Sequence, residues 1–151
     1  MNIEVKPFSD TVQEVNLINQ GERESFEVNI PSAVLDPSFS KNRYKYLMRS
    51  DKRIFFLLID DFPAGYIVYR VSANRQPKYG HIISIYISKN FRGNHFSDIL
   101  IKFVLDDLSK HNIDVLRLEV TANNQSAIQS YKRNGFKVAR LEMEFIKSDD
   151  S

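Results

Sequence analysis

Arg92-Gly93-Asn94 stands between a run of apolar residues, YGHIISIYIS, and the stretch FSDILIKFVLDDL. A glycine-bearing turn that leads straight into a helix leaves several backbone N–H groups without an intrahelical acceptor, and the helix dipole adds partial positive charge at that end. Such a turn is a ready site for an anion, and a pyrophosphate suits it. The same strand–loop–helix arrangement also occurs where nothing binds. The flanking segments must therefore show that the turn is held in place.

They read as elements able to do so. Ile82 to Ile87 is apolar on both faces apart from Ser84, the pattern of a strand covered on both sides. Phe96, Ile99, Leu100, Phe103, Val104 and Leu108 recur at helical spacing and give one apolar face. Lys110-His111-Asn112 is a stop signal, with basic residues near the negative helix end and an Asn able to turn left-handed. Upstream, Ile3 to Phe8 reads as a short strand. Ser9 or Asp10 caps a helix through Val12, Val15, Leu17 and Ile18 that ends near Gly21. Glu22 to Ser40, with Pro31 and Pro37, reads as a long loop, either a lid or substrate wall or an irregular cover of the core. Ser40 to Ser50 is a helix. Ile54 to Ile59 and Ala64 to Val71 form a hairpin about Asp60-Asp61-Phe62-Pro63. Downstream, Val115 to Val120 is a strand, parallel to its predecessor because a helix connects them. Asn123 or Asn124 caps a helix through Ala127, Ile128 and Tyr131 that Gly135 ends. Val138 to Ile146 is a last strand, and Lys147 to Ser151 a polar tail.

Composition narrows the classes of function. The 151 residues, 42% hydrophobic and 26% charged, suit one domain with a core of its own, spanning 1–151. A net charge of +2 is too mild to indicate nucleic acid. The chain has no cysteine, hence no thiolate nucleophile, no disulfide framework and no Cys-based metal site; no metal is expected. No stretch has the length of a membrane span, and MNIEVKPFSD lacks the apolar run of a signal peptide, so a cytoplasmic protein is expected. One charge imbalance stands out. Lys41, Arg43, Lys45, Arg49, Lys52 and Arg53 face Asp51 alone, which reads as a solvated basic face or as an anion or RNA contact.

Two segments carry a resemblance to the GNAT superfamily, the acyl-CoA-dependent N-acyltransferases. ISIYISKNFRGNHFSDIL is similar to that family's strand and pyrophosphate loop, Q/R-x-x-G-x-G/A. RLEVTANNQSAIQSYKRNGF resembles its N-x-x-A-I-x-x-Y-x-x-x-G-F signature, matched by Asn124, Ala127, Ile128, Tyr131, Gly135 and Phe136. The first segment departs from the pattern, because His95 and Ser97 stand where the family has its central glycine and its last Gly or Ala. Backbone donors do not depend on side-chain identity, so the cradle can survive. The imidazole either flanks a phosphate or weakens the site. The resemblance implies an α/β fold with a mixed, mostly antiparallel central sheet flanked by helices. Its fourth and fifth strands would be parallel and splayed.

It also implies the site and its chemistry. The cosubstrate would be acetyl-CoA, with its amide arm paired to the backbone of Ile85, Tyr86 and Ile87 as an added strand. The pyrophosphate would lie on the N–H groups of Arg92, Gly93, Asn94, His95, Phe96 and Ser97. Asn124 would touch the thioester arm, although helix capping alone also explains its type. Tyr131 occupies the position of the family's acid. A phenol of pKa about 10 can protonate a thiolate whose conjugate acid is near 8.5. Glu119 stands where the branch that acetylates protein N-termini carries its base; an ion pair with Arg117 is the alternative, and His81 is a rival base. The acceptor would be a primary amine of unread identity, with a slight preference for an α-amine or a small-molecule amine. An acyl-CoA-binding module without turnover is the second reading. The last strand is an edge open to pairing, so both monomer and homodimer are expected states.

Overall fold

The structure, a computed structural model, describes residues 1–29, 37–72 and 76–148. Its elements are strand β1 (Ile3–Pro7), helix α1 (Val12–Asn29), helix α2 (Phe39–Leu47), strands β2 (Arg53–Ile59), β3 (Phe62–Val71) and β4 (Gly80–Ile87), a short 3-10 turn (Lys89–Phe91), helix α3 (Phe96–Ser109), strand β5 (Leu116–Arg117) and helix α4 (Gln125–Arg133). The sheet runs in chain order from β1 to β5. Its first four strands are antiparallel neighbours, whereas β5 is parallel to β4. This is the expected mixed sheet with parallel fourth and fifth strands.

Burial on both faces explains the unbroken apolar runs. Along β2, Leu57 and Ile59 pack on the α3 side with Ile67, Tyr69, Ile82, Leu100, Val104 and Leu108. Phe56 points the other way, into a layer with Leu17, Ile18, Leu47, Tyr66, Val68 and Tyr86 under α1 and α2. Alternation cannot appear in such strands because both positions of the two-residue repeat are apolar. The β2–β3 hairpin closes on two residues, Asp60 and Asp61, both at positive φ, so β3 begins at Phe62 and takes in Pro63 beside a register shift.

The structure corrects several expectations. Thr11, not Ser9 or Asp10, caps α1, since its Oγ1 accepts from the Glu14 N–H at 3.2 Å. Ser9 instead donates its N–H and Oγ–H to the buried Glu14 carboxylate. Nor does α1 stop at Gly21; it runs on to Asn29, so much of the expected loop is helical, while residues 30–36 lie outside those described. Gly21 sits inside the helix because a side chain there would collide with the Tyr66 hydroxyl and, at 2.8 Å, with the Tyr86 ring. It lets α1 lie directly on β3 and β4. The strand expected over Val115 to Val120 shrinks to Leu116–Arg117, and none forms over Val138 to Ile146. A strand exists only where another backbone pairs with it, and the apolar pattern cannot say whether one is in reach.

The basic face is largely taken up internally. Arg43 pairs with Glu22 at 2.9 Å and Arg53 with Asp107 at 3.0 Å, while Arg49 and Lys52 sit over the Tyr46 ring. No helix among the described residues is long and apolar enough to cross a membrane.

Gly21→Ala should lower the unfolding free energy by about 1–3 kcal/mol, because the overpacking outweighs the gain in helix propensity. Urea titration would read this as a lower midpoint at unchanged slope. A raised midpoint would mean that α1 does not rest on the two tyrosines.

Candidate active site

The site begins where β4 loses its outer neighbour. Pairing with β5 covers only Gly80 opposite Leu116 and His81 opposite Arg117, while β3 accompanies β4 to Ile87. From Ile82 onward the outer edge of β4 is open, and its backbone groups can take an extended ligand with amides of its own. The gap leads to a cavity of about 390 Å³ at the C-terminal end of β4. Ile85, Tyr86 and Ile87 form one wall, Phe91 to Gly93 and His95 to Ser97 the mouth, and Ser126, Ser130 and Arg133 of α4 the opposite wall.

The mouth has the donors expected of an anion cradle. Among the described residues, the N–H groups of Gly93, His95, Phe96 and Ser97 have no backbone acceptor, and helix α3 stands behind them. Gly93 has φ +86°, which glycine adopts without strain. His95, which stands where the resembled family has its central glycine, has φ 58°, the left-handed conformation that favours glycine. An L residue holds this conformation at a cost of roughly 1–2 kcal/mol. The imidazole is exposed at the cavity rim, so the backbone cradle and the side chain are separable features. No group of three or more metal-ligating side chains gathers among the described residues.

Arg92 is engaged before any ligand arrives. Its Nε donates to the Ile87 carbonyl at 2.9 Å, its Nη2 to Glu24 Oε1 at 2.6 Å, and its guanidinium lies 5.4 Å from the Tyr86 ring centre. Tyr86 donates its hydroxyl to Glu24 Oε2 at 2.6 Å. The Tyr86 and Arg92 bonds hold the Glu24 carboxyl below its usual range. Burial raises the Tyr86 phenol, and the bond to Glu24 adds to the effect. Glu24 has no counterpart in the expected site, because it belongs to the stretch read as a loop.

On α4, Asn124 is the N-cap, its Oδ1 accepting from the Ala127 N–H at 3.3 Å. That bond accounts for the residue type. Tyr131 is half-buried, with its ring 5.7 Å from Phe136, and burial raises its phenol. Gly135, at φ +93°, ends the helix; its N–H reaches the Lys132 carbonyl and that of Phe136 reaches Tyr131. This is the left-handed cap expected from Gly135-Phe136. The cavity wall comes from a different face of α4. Ser126, Ser130 and Arg133 stand at i, i+4 and i+7, a helical stripe readable from the spacing although not singled out for it. Asp98 of α3 holds that wall by accepting from Arg133 at 2.8 Å and Asn134 at 2.9 Å. Burial would raise the Asp98 carboxyl, but the bonds to Arg133 and Asn134 prevail and keep it below its usual range.

The two rival bases stand together at the other end of the gap. Glu119 Oε1 lies 3.8 Å from His81 Nε2, and Arg70 Nη2 lies 3.4 Å from His81 Nδ1. A guanidinium only donates, so Nδ1 accepts and Nε2 carries the proton toward Glu119. Burial, then the charge of Arg70, lowers the His81 pKa. Arg117 does not pair with Glu119 but lies 4.3 Å over the Tyr79 ring. Glu119 itself is 80% exposed. Neither Glu119 nor Tyr131 lines the cavity.

Comparison with known proteins agrees with this architecture. The chain is 21% identical over 127 residues to N-alpha-acetyltransferase 30 of Saccharomyces cerevisiae, covering 79% of this chain and 72% of that protein. Among solved structures, a four-fold mutant of the BH1408 protein from Bacillus halodurans superposes with a TM-score of 0.82 at 15% identity, covering 95% of this chain and 99% of that one. AAC(6')-Iy in complex with the bisubstrate analogue CoA-S-monomethyl-acetylneamine superposes with a TM-score of 0.71 at 12% identity, covering 99% of this chain and 100% of that one. The family model described as Acetyltransferase (GNAT) family matches residues 17–136, from the body of α1 through the cap of α4. By that match the chain belongs to the GNAT acetyltransferase family.

Proposed function

We propose that the protein transfers an acetyl group from acetyl-CoA to a primary amine by direct attack in a ternary complex. The set of N–H donors on Gly93, His95, Phe96 and Ser97, at the mouth of a cavity that opens onto the free edge of β4, is the observation that carries this reading. The donor set fits a diphosphate, and the open edge fits an amide-bearing arm along Ile85 to Ile87. Each charge-assisted bond in the cradle contributes roughly 1.5–3 kcal/mol. These contacts orient the cosubstrate rather than activate it. The bound thioester supplies the acetyl group; the remaining tasks fall to side chains of this chain.

Tyr131 supplies the proton that the departing thiolate takes up. Burial keeps the phenol protonated at neutral pH. Glu119 receives the proton of the incoming amine, directly or through water. His81 is a positioning residue, because its acceptor nitrogen faces Arg70 and its protonated Nε2 faces the Glu119 carboxylate. The yeast relative, by its name, acts on α-amines, and this favours an α-amine acceptor here as well. AAC(6')-Iy carries the bisubstrate analogue CoA-S-monomethyl-acetylneamine, and a small-molecule amine is the second acceptor class.

One observation favours a different reading. Tyr131 does not line the cavity and Glu119 is 80% exposed, as in a binding module that holds acyl-CoA without turnover. Calorimetry with acetyl-CoA, followed by thiol release across a panel of peptides and small amines, separates the two. Binding with release supports the enzyme, binding without release on any amine supports the module, and no binding removes both.

Replacing His95 with Ala removes the imidazole and keeps the N–H. The acetyl-CoA Kd measured by calorimetry should change less than about three-fold, roughly 0.7 kcal/mol. A loss beyond ten-fold would show that the ring, not the main chain, holds the charge.

Tyr131→Phe should lower kcat by about a hundred-fold with the acetyl-CoA Kd unchanged, a loss at the low end of proton-transfer catalysis. Glu119→Gln should lower kcat/KM for the amine to a similar degree. A lowered His81 pKa leaves the ring neutral at pH 7, so proton uptake by His81 would give kcat/KM an ascending limb below pH 6.5. A limb that survives Glu119→Gln and vanishes in His81→Ala would transfer the role to the histidine.

A further inference from the structure

Beyond the cap at Gly135, residues 137–148 form no strand or helix. Within nine residues, Val138, Leu141, Met143, Phe145 and Ile146 are between 66% and 95% exposed. Scattered apolar side chains on a surface are ordinary, but a contiguous run of this kind marks a surface that another polypeptide covers. From Ala139 onward the run alternates, with Ala139, Leu141, Met143 and Phe145 in one phase and Arg140, Glu142 and Glu144 in the other. That is the pattern of a strand with one face on a core.

A matching edge exists in the same molecule. β5 is the last strand of the sheet and pairs on its inner side alone. Its sequence continues the alternation, with Leu116, Leu118 and Val120 in one phase and Arg117 and Glu119 in the other. Leu116 and Leu118 pack against the core beneath α3.

The charges select one register. With Leu118 opposite Leu141 in an antiparallel pair, Leu116 faces Met143 and Val120 faces Ala139. Arg117 then faces Glu142, and Glu119 faces Arg140. A slip of two residues either way sets Arg117 against Arg140 or Glu119 against Glu142, and directly opposed like charges are destabilising. A slip of one places charged residues opposite apolar ones. Leu141 and Met143 would extend the core that Leu116 and Leu118 begin.

We infer that the segment Val138–Ile146 pairs with β5 of a second copy of this chain, the two copies exchanging their C-terminal segments about a two-fold axis. The partner is a second copy because donor and acceptor edge, matched in apolar phase and in charge, lie on one chain, yet the segment stands away from its own β5, exposed along its length. An exchange of this kind is isologous, since each copy gives what it receives. It would bring Arg140 of the second copy across from Glu119, at the edge of the proposed site. The inference does not depend on the proposed activity.

The absence of cysteine makes the test direct. Residues directly opposite in an antiparallel pair have Cα atoms about 4.5–5.5 Å apart, within the span of a disulfide. Light scattering of the unaltered protein should give twice the chain mass of 17.6 kDa. Leu118→Cys and Leu141→Cys proteins, mixed, exchanged at low concentration and oxidised, should yield a covalent dimer that neither forms alone. Independently of any crosslink, Glu142→Arg should weaken the dimer at least five-fold, and Arg117→Glu in the same chain should restore it. A monomeric unaltered protein overturns the inference, whatever else binds the segment. So does a double cysteine variant that closes its disulfide within one chain.

Discussion

Every feature of the candidate site depends on the parting of β4 and β5. Backbone amides in a sheet interior are paired almost without exception, because an unpaired buried amide costs about 1–3 kcal/mol. Here β4 is paired to β3 from Gly80 to Ile87 on one side, apart from a register shift at Ile83, but has a strand beside only Gly80 and His81 on the other. Its remaining outer groups need water or a ligand. The parting therefore creates a slot with amide specificity, and the turn after Phe91 closes one end of that slot with free N–H donors. His81 and Glu119 stand at its other end. A turn with free N–H donors at one end and an imidazole–carboxylate pair at the other give the candidate site its polarity.

The inner side of β4 is held more firmly. The buried Glu22 carboxylate accepts from Tyr66 Oη and Ser84 Oγ, each at 2.5 Å, and from Arg43 Nε at 2.9 Å. It thereby joins α1, α2, β3 and β4, and its lone pairs are met by neighbours instead of water. Two residues on, Glu24 joins α1 to Tyr86 and to Arg92 at the mouth of the cavity. A single stretch of α1 thus braces the strand that lines the site and also restrains the one arginine of the loop. The guanidinium is held toward the sheet by its bonds to Ile87 and Glu24. This contrast between a braced inner face and an open outer edge lets β4 accept an extended ligand without losing its place in the sheet.

The turn ahead of α3 was legible in the sequence because its causes are local. A turn glycine, a helix start and an apolar face are properties of neighbouring residues, and Gly93, His95 and Phe96 fall where the spacing puts them. The cap at Gly135 followed from the same kind of signal. Gly21 shows the limit. As a sequence letter it reads as a helix end, yet in the molecule it is a contact with Tyr66 and Tyr86, residues distant along the chain. Glu24 was hidden for the same reason, since nothing near it in sequence announces that Arg92 will lie 2.6 Å away. The alternation from Ala139 to Phe145 was equally visible and equally incomplete, because it specifies a strand but not a partner.

The sequence by itself determined the mixed sheet, the apolar faces of its helices, the glycine-bearing turn ahead of α3 and the signature in α4, each carried by residues close together in the chain. Tertiary structure alone decided how far β5 stays beside β4, which face of α4 lines the cavity, which nitrogen of His81 meets Glu119, and that the C-terminal run leaves its own sheet. These are matters of distance between segments far apart in sequence, set by the packing of whole elements, and hydrophobic periodicity carries no information about them.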